Sequence, residues 1–221
     1  MPRLARLVVP ALPHHVTQRG ARRQTVFFSL DDYRLYLRLL GRHCVESGTA
    51  VWAWCLMPNH VHLILVPART DGLRAAMAST HWRYTRIVNG REGWQGHLWQ
   101  ERFASFPMDE SYLVACARYV ELNPVRAGLV ARPEQWMWSS ARAHLGLGAD
   151  GITETAALLG RWPDWRTILD GGLDPATREE IRARELNGHP LGDSGFLARL
   201  SGLSSRPLAS RRRGRPRKSG Q

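Results

Sequence analysis

Lysine is nearly missing from this 221-residue chain: Lys218 is the only one, although the formal net charge is +12. The cationic surplus is therefore arginine, whose planar guanidinium grips phosphate with two N–H groups. A GC-rich coding sequence would give the same bias, so the arginine excess alone selects no partner. Cysteine is scarce as well. Cys44, Cys55 and Cys116 are scattered with no CxxC pair, which argues against a disulfide framework and a cysteine-based zinc site and suits a reducing cytoplasm. No stretch approaches the roughly 20 apolar residues of a membrane span. The N-terminal "MPRLARLVVPALPHH" has too short an apolar run, and no small-residue cleavage site, for a signal peptide. No period of fixed length repeats along the chain. The expected location is the cytoplasm, associated with the nucleoid.

Hydrophobic residues make up 43% of the chain, enough for a packed core and against wholesale disorder. "HHVTQ" at 14–18 reads as a short strand followed by an Arg/Gly turn, and "VFF" at 26–28 as a second short apolar piece. From Ser29 a helix is expected, with Asp31 and Asp32 in its first turn, a stripe of Tyr33, Tyr36, Leu37, Leu40 and Cys44, and Gly48 as its stop. "VWAWCLM" (51–57) and "HVHLILV" (60–66) read as two strands separated at Pro58-Asn59. A helix with Leu73, Met77, Tyr84 and Val88 inward follows, then a loop and strand over 96–108. A further helix runs over 109–124, with Asp109 as its cap and Asn123, before Pro124, as its last residue. Strands and short helical crossovers intermixed in this way predict an α+β fold, an antiparallel sheet with helices on one face. The expected organisation is a first domain over 1–147, a helical extension over 148–203, and a disordered Ser/Pro/Gly/Arg tail over 204–221.

Two imidazoles interrupt the second strand of the pair. Alternate strand residues share a face, so His60 and His62 point one way, with Ile64 and Val66, while Val61, Leu63 and Leu65 point the other. The two histidines are about 7 Å apart at the backbone, and their ring nitrogens can converge on one cation. An isolated H-x-H is more often surface or hydrogen-bonded than metal-binding, so a second feature is needed. "RYVELNPVRAGLV" (118–130) provides one. Tyr119 and Asn123 are four apart and share a helix face; the Asn123 amide oxygen can complete a three-ligand site, with the phenol one turn away. Taken singly, Tyr119 reads as a half-buried tyrosine and Asn123 as a cap before proline. The combination in a basic protein is harder to dismiss.

"MPNHVHLILVP" followed by "ARYVELNPVRAGLV" resembles the single-tyrosine HUH transposases, in particular their REP-associated tyrosine transposase branch. "HHVTQRGARRQTVFF", "GHLWQERFASFPMD" and "WMWSSARAHLG" resemble that branch in the same order, so the likeness covers about residues 10 to 146. It implies a ferredoxin-like fold and a divalent metal, Mg²⁺ or Mn²⁺. It also implies His60 and His62 as the histidine pair, Tyr119 as the nucleophile and Asn123 as the third ligand, a position held by Gln in the shorter insertion-sequence enzymes. The implied reaction is metal-dependent cleavage and joining of single-stranded, hairpin-bearing DNA through a 5′-phosphotyrosine. A catalytically silent DNA-binding protein with the same fold is the alternative, and a small zinc protein unrelated to DNA is a third reading. Monomer and homodimer both remain open.

Single strands are held by arginine contacts and by stacking on aromatics. Arg19, Arg22 and Arg23 follow a strand and are phosphate candidates; Arg83 and Arg102 lie near Trp82, Trp94 and Trp99; Arg126 follows the nucleophile helix. Seven basic residues and no acids occupy 206–221. Arg213-Gly214-Arg215-Pro216-Arg217 resembles an AT-hook core, slim enough for the narrow minor groove of AT-rich duplex. A generic basic tail binding phosphate without preference is the equal reading.

Overall fold

The computed structural model describes residues 6–203. Within them β1 (His14–Arg19), α1 (Leu30–Glu46), β2 (Thr49–Met57), β3 (His60–Pro67), α2 (Gly72–Glu92) and β4 (Ala104–Pro107) follow one another. The four strands form one sheet in the order β2-β3-β1-β4, every pairing antiparallel. This is the ferredoxin-like arrangement that the resemblance implies. Pro58 and Asn59 break the apolar run where β2 turns into β3, as the sequence predicts. Val26 and Phe27 form no strand; both are buried in the core beneath α1 and α2.

Local chemistry sets the first helix. Ser29 accepts from the Asp32 backbone N–H while Asp32 accepts from the Ser29 N–H, a reciprocal cap. Asp32 also takes two bonds from Arg91 of α2, at 2.6 and 3.1 Å, which ties the ends of the two helices together. Burial alone would raise the Asp32 carboxyl, but the Arg91 bond and the Phe28 and Ser29 N–H groups outweigh it and hold the pKa below 3.8. Tyr33, Tyr36, Leu40 and Cys44 of α1 and Leu73, Met77, Tyr84 and Val88 of α2 pack on Val16, Trp54, Leu56, Val61, Leu63 and Leu65 of the sheet. Each large side chain buried in this way contributes roughly 1.5–3 kcal/mol.

The opposite face of the sheet is covered too, which corrects the expectation of helices on one face. Ala53, Cys55, Ile64 and Phe106 alternate onto that face and are apolar, so water is an unfavourable neighbour for them. They pack under α3 (Glu110–Glu121) through Leu113, Cys116, Ala117 and Val120. A second correction concerns the end of α3. The helix stops at Glu121, and Asn123 opens a separate turn, α4 (Asn123–Arg126), in which Pro124 occupies a first-turn position that has no N–H to satisfy.

The chain then continues through the short helices α5 (Ala141–His144), α6 (Ala156–Leu159) and α7 (Trp165–Asp170) to α8 (Pro175–Asn187) and α9 (Ser194–Leu203). Leu158, Trp165, Leu169, Ile181 and Leu191 from this part share a core with α3 and the sheet. No helix among the described residues is long and apolar enough to cross a membrane. The tail after Leu203, with Arg213, Arg215 and Arg217 and its expected disorder, lies outside the described residues.

Candidate active site

Strand register decides which side chains meet. Arg19 pairs with His60, Thr17 with His62 and His15 with Ile64; on the other side Met57 pairs with His60 and Cys55 with His62. Directly opposed residues share a face, so His15, Thr17 and Arg19 stand beside the histidine pair, on the face covered by α3.

The His60 and His62 rings are 4.9 Å apart between centroids and nearly perpendicular. Each is held through Nδ1. His60 Nδ1 is 2.6 Å from Asn59 Oδ1, and His62 Nδ1 is 3.1 Å from Nε2 of His15. Burial, with Arg19 and Arg126 nearby, brings the His60 pKa down to about 4. Burial and the neighbouring histidines push His62 well below its ordinary value, and burial brings His15 to about 3. All three rings are therefore neutral at pH 7, the form in which imidazole binds a metal.

Tyr119 projects from α3 onto this group. Its ring centroid is 5.6 Å from His62 and 5.9 Å from His15. Arg126 lies over the ring at 4.2 Å, and its Nη1 donates to the Tyr119 carbonyl at 2.8 Å. The hydroxyl meets Arg182 and Glu185 of α8. Burial first, then the Glu185 carboxylate, raises the phenol above 10, against the opposing pull of Arg126 and Arg182. The phenol is protonated at neutral pH and only 4% exposed. Burial, with Arg19 and Tyr119 opposing it, raises Glu185 to about 7.

Asn123 is buried at the start of α4, and its amide makes no hydrogen bond among the described residues. The break between α3 and α4 removes the shared helix face on which the sequence places Tyr119 and Asn123. A second donor set shares His62: ligand atoms of His15, His62 and Glu185 all lie within 4.8 Å of one another. Neutral imidazoles with an amide or carboxylate oxygen suit Mn²⁺ and Zn²⁺, and with more oxygen Mg²⁺.

The histidine pair opens into a cleft of about 330 Å³ lined also by Thr17, Arg19, Arg23, Arg102 and Glu185. Three of the arginines singled out in the sequence thus reach the cleft, and Arg126 reaches the phenol. Arg22 is exposed in the turn that follows β1, at a left-handed φ of 54°. Arg83 is on α2, over the opposite face, and does not line the cleft. Trp99 is core at 7% exposure, whereas Trp82 is 57% exposed with Arg86 stacked against it.

Sequence reasoning passed over His15 and Glu185. His15 carries a legible signal, an imidazole on the strand that pairs with the H-x-H strand. Glu185 carries none, because it is one acid among several on a polar helix.

Comparison with known proteins comes from two sides. The family model described as "Transposase IS200 like" matches residues 8–123. Among solved structures, a REP-associated tyrosine transposase bound to a REP hairpin superposes with a TM-score of 0.54 at 17% identity, over 70% of this chain and 90% of that one. A crystal structure of a Deinococcus radiodurans R1 protein, named as a transposase, aligns with a TM-score of 0.39 at 22% identity, over 54% of this chain and 95% of its own. No curated protein matches the chain.

Proposed function

From the premise that the chain belongs to the IS200-like transposase family, whose model spans more than half of it, we propose that it nicks and joins single-stranded, hairpin-bearing DNA with Tyr119 as nucleophile. One observation carries the reading. A tyrosine from α3 stands 5.6 Å, ring to ring, from a strand histidine 57 positions earlier in the chain, and that histidine lines an arginine-bearing cleft. The likeness to a transposase that holds a REP hairpin supports hairpin DNA as the substrate class.

The reaction forms a bond between the Tyr119 oxygen and phosphorus and breaks the bond from phosphorus to the 3′ oxygen. A 5′-phosphotyrosine and a free 3′-hydroxyl result. The covalent link keeps the bond energy, so another 3′-hydroxyl can reverse the step and join a new strand. His60, His62 and Asn123 would hold the divalent ion, Mg²⁺ or Mn²⁺, which when bound polarises the phosphate and offsets charge growing on its oxygens. Arg19, Arg22, Arg23 and Arg102 grip the strand's phosphates. Arg126 steadies the phenol and lowers its pKa. Arg83 can contribute only to a strand that wraps to the α2 side. Arg213, Arg215 and Arg217 would add affinity for duplex AT-rich DNA.

A second reading, DNA binding without turnover, draws on the cover over Tyr119. The phenol is protonated and lies under α8, so attack requires α8 to shift. That helix buries one apolar side chain, Ile181, and is otherwise held by polar contacts, Tyr112 with Glu180 and Tyr119 with Arg182 and Glu185, all of which the shift would break. The test incubates a labelled hairpin-bearing single strand with the protein and Mn²⁺. An adduct that survives denaturation, and is lost in Tyr119→Phe, is expected. Tight binding with no adduct at any metal concentration would establish the second reading instead.

A further inference from the structure

Taking His60 and His62 as metal ligands, as proposed above, we infer that His15 is a positioning residue that holds His62 in the one tautomer able to bind a cation through Nε2. His15 sits on β1 diagonally across from His62, two residues from the Thr17 that pairs with it, and is 1% exposed. Its ring lies at 14° to that of His62, and the two meet through His15 Nε2 and His62 Nδ1, 3.1 Å apart. A bond between two neutral imidazoles contains a single proton, which belongs to one nitrogen or the other.

The surroundings choose which. Oε1 of Glu185 is 3.4 Å from His62 Nδ1. With Glu185 ionised, as it is at pH 8, a lone pair on that nitrogen would face a carboxylate oxygen, which is repulsive; an N–H there is attracted to it. His62 Nδ1 therefore carries the proton and donates to His15. Having accepted on Nε2, His15 carries its own proton on Nδ1. That atom lies 3.8 Å from the same Glu185 oxygen, too far for a hydrogen bond but on the favourable side electrostatically. Both atoms otherwise have no hydrogen-bond partner among the described residues, so the assignment leaves no conflict. Asn59 does the equivalent for His60. Its amide oxygen accepts from Nδ1, leaving Nε2 for a cation.

Such partners matter because a free imidazole prefers its proton on Nε2, the atom that a metal needs bare. A ligand histidine whose other nitrogen is bonded is fixed in both tautomer and ring orientation, and loss of the partner commonly costs 10- to 100-fold in metal affinity.

The experiment uses the full chain with ¹⁵N-labelled histidine. Long-range ¹H–¹⁵N spectra read the His62 tautomer, and paramagnetic resonance reads Mn²⁺ affinity. At pH 8, where Glu185 is ionised, the wild type should show His62 protonated on Nδ1. In His15→Phe, compared with and without Glu185→Gln to remove the other group facing Nδ1, the Nε2-protonated form should appear, with Mn²⁺ affinity down about 10- to 100-fold. His15→Gln, whose amide oxygen can occupy the place of Nε2, should recover most of both. An Nε2-protonated His62 in the wild type overturns the inference even if His15→Phe fails to fold. So does a folded His15→Phe with unchanged tautomer and affinity. The ligand assignment fails separately, if His60→Ala and His62→Ala bind Mn²⁺ as the wild type does.

Discussion

Glu121 is fully buried, and its carboxylate collects three donors from two later parts of the chain: Ser140 Oγ at 2.5 Å and His144 Nδ1 at 2.6 Å at α5, and Trp165 Nε1 at 2.7 Å on α7. It fastens α5 and α7 to the end of the helix that bears Tyr119. Without the carboxylate these donors stay buried and unpaired, and loss of one partner from a buried charged network is strongly destabilising. Glu121→Ala should lower unfolding free energy by about 3–5 kcal/mol, read from the urea midpoint. A loss below about 0.5 kcal/mol, the usual surface effect, would mean that water replaces the carboxylate. At this scale the sequence was legible where a residue type has few uses. Paired histidines and a tyrosine four before an asparagine are such cases. One glutamate in a helix is not, because nothing local tells a buried acid from a solvated one.

Among the elements, α3 matters most, since it aims the phenol. Asp109 caps it by accepting from Tyr112 N at 3.0 Å, and its second oxygen accepts from Asp193 N at 2.7 Å, just before α9. The cap is readable from sequence; the link to α9 is not. Asp109→Ala should cost about 1–2 kcal/mol in chemical denaturation, and proteolysis should nick the chain earliest around residues 190–195. A variant cut no faster there would show that α9 docks without this bond. The helix end was misread by two residues because proline after Asn123 admits two solutions: a terminal extended residue, or a fresh turn with Pro124 in its first positions. Packing chose the second.

For the whole molecule, buried histidines set the response to acid. Burial brings the folded pKa values of His14, His15, His60 and His81 to about 4, 3, 4 and 3, against 6.5 unperturbed. Below pH 6.5 the unfolded chain takes up protons that the folded chain refuses, so stability is full above that pH and falls as pH drops toward 4. Each group weakens the fold by up to about 1.4 kcal/mol per pH unit. Glu185 runs the other way. With a folded pKa of about 7 against 4.5, it binds an extra proton in the folded state, and its contribution is lost as pH rises through that window. It offsets one histidine; with His62, also pushed well below its ordinary value, about four remain. Against a typical total of about 5–15 kcal/mol, unfolding by circular dichroism should have its midpoint between roughly pH 4 and 5.5. A chain still folded below pH 4 would mean that these rings charge without unfolding.

The order of strands and helices, the face on which His60 and His62 stand, and the family likeness can all be read locally along the chain. Each depends on periodicity and residue type along a short stretch. That His15 bonds His62, that Glu121 gathers three distant donors, and that α8 meets Tyr119 follow from packing. These depend on strand register and helix docking between residues tens of positions apart, where no spacing rule connects one partner to the other.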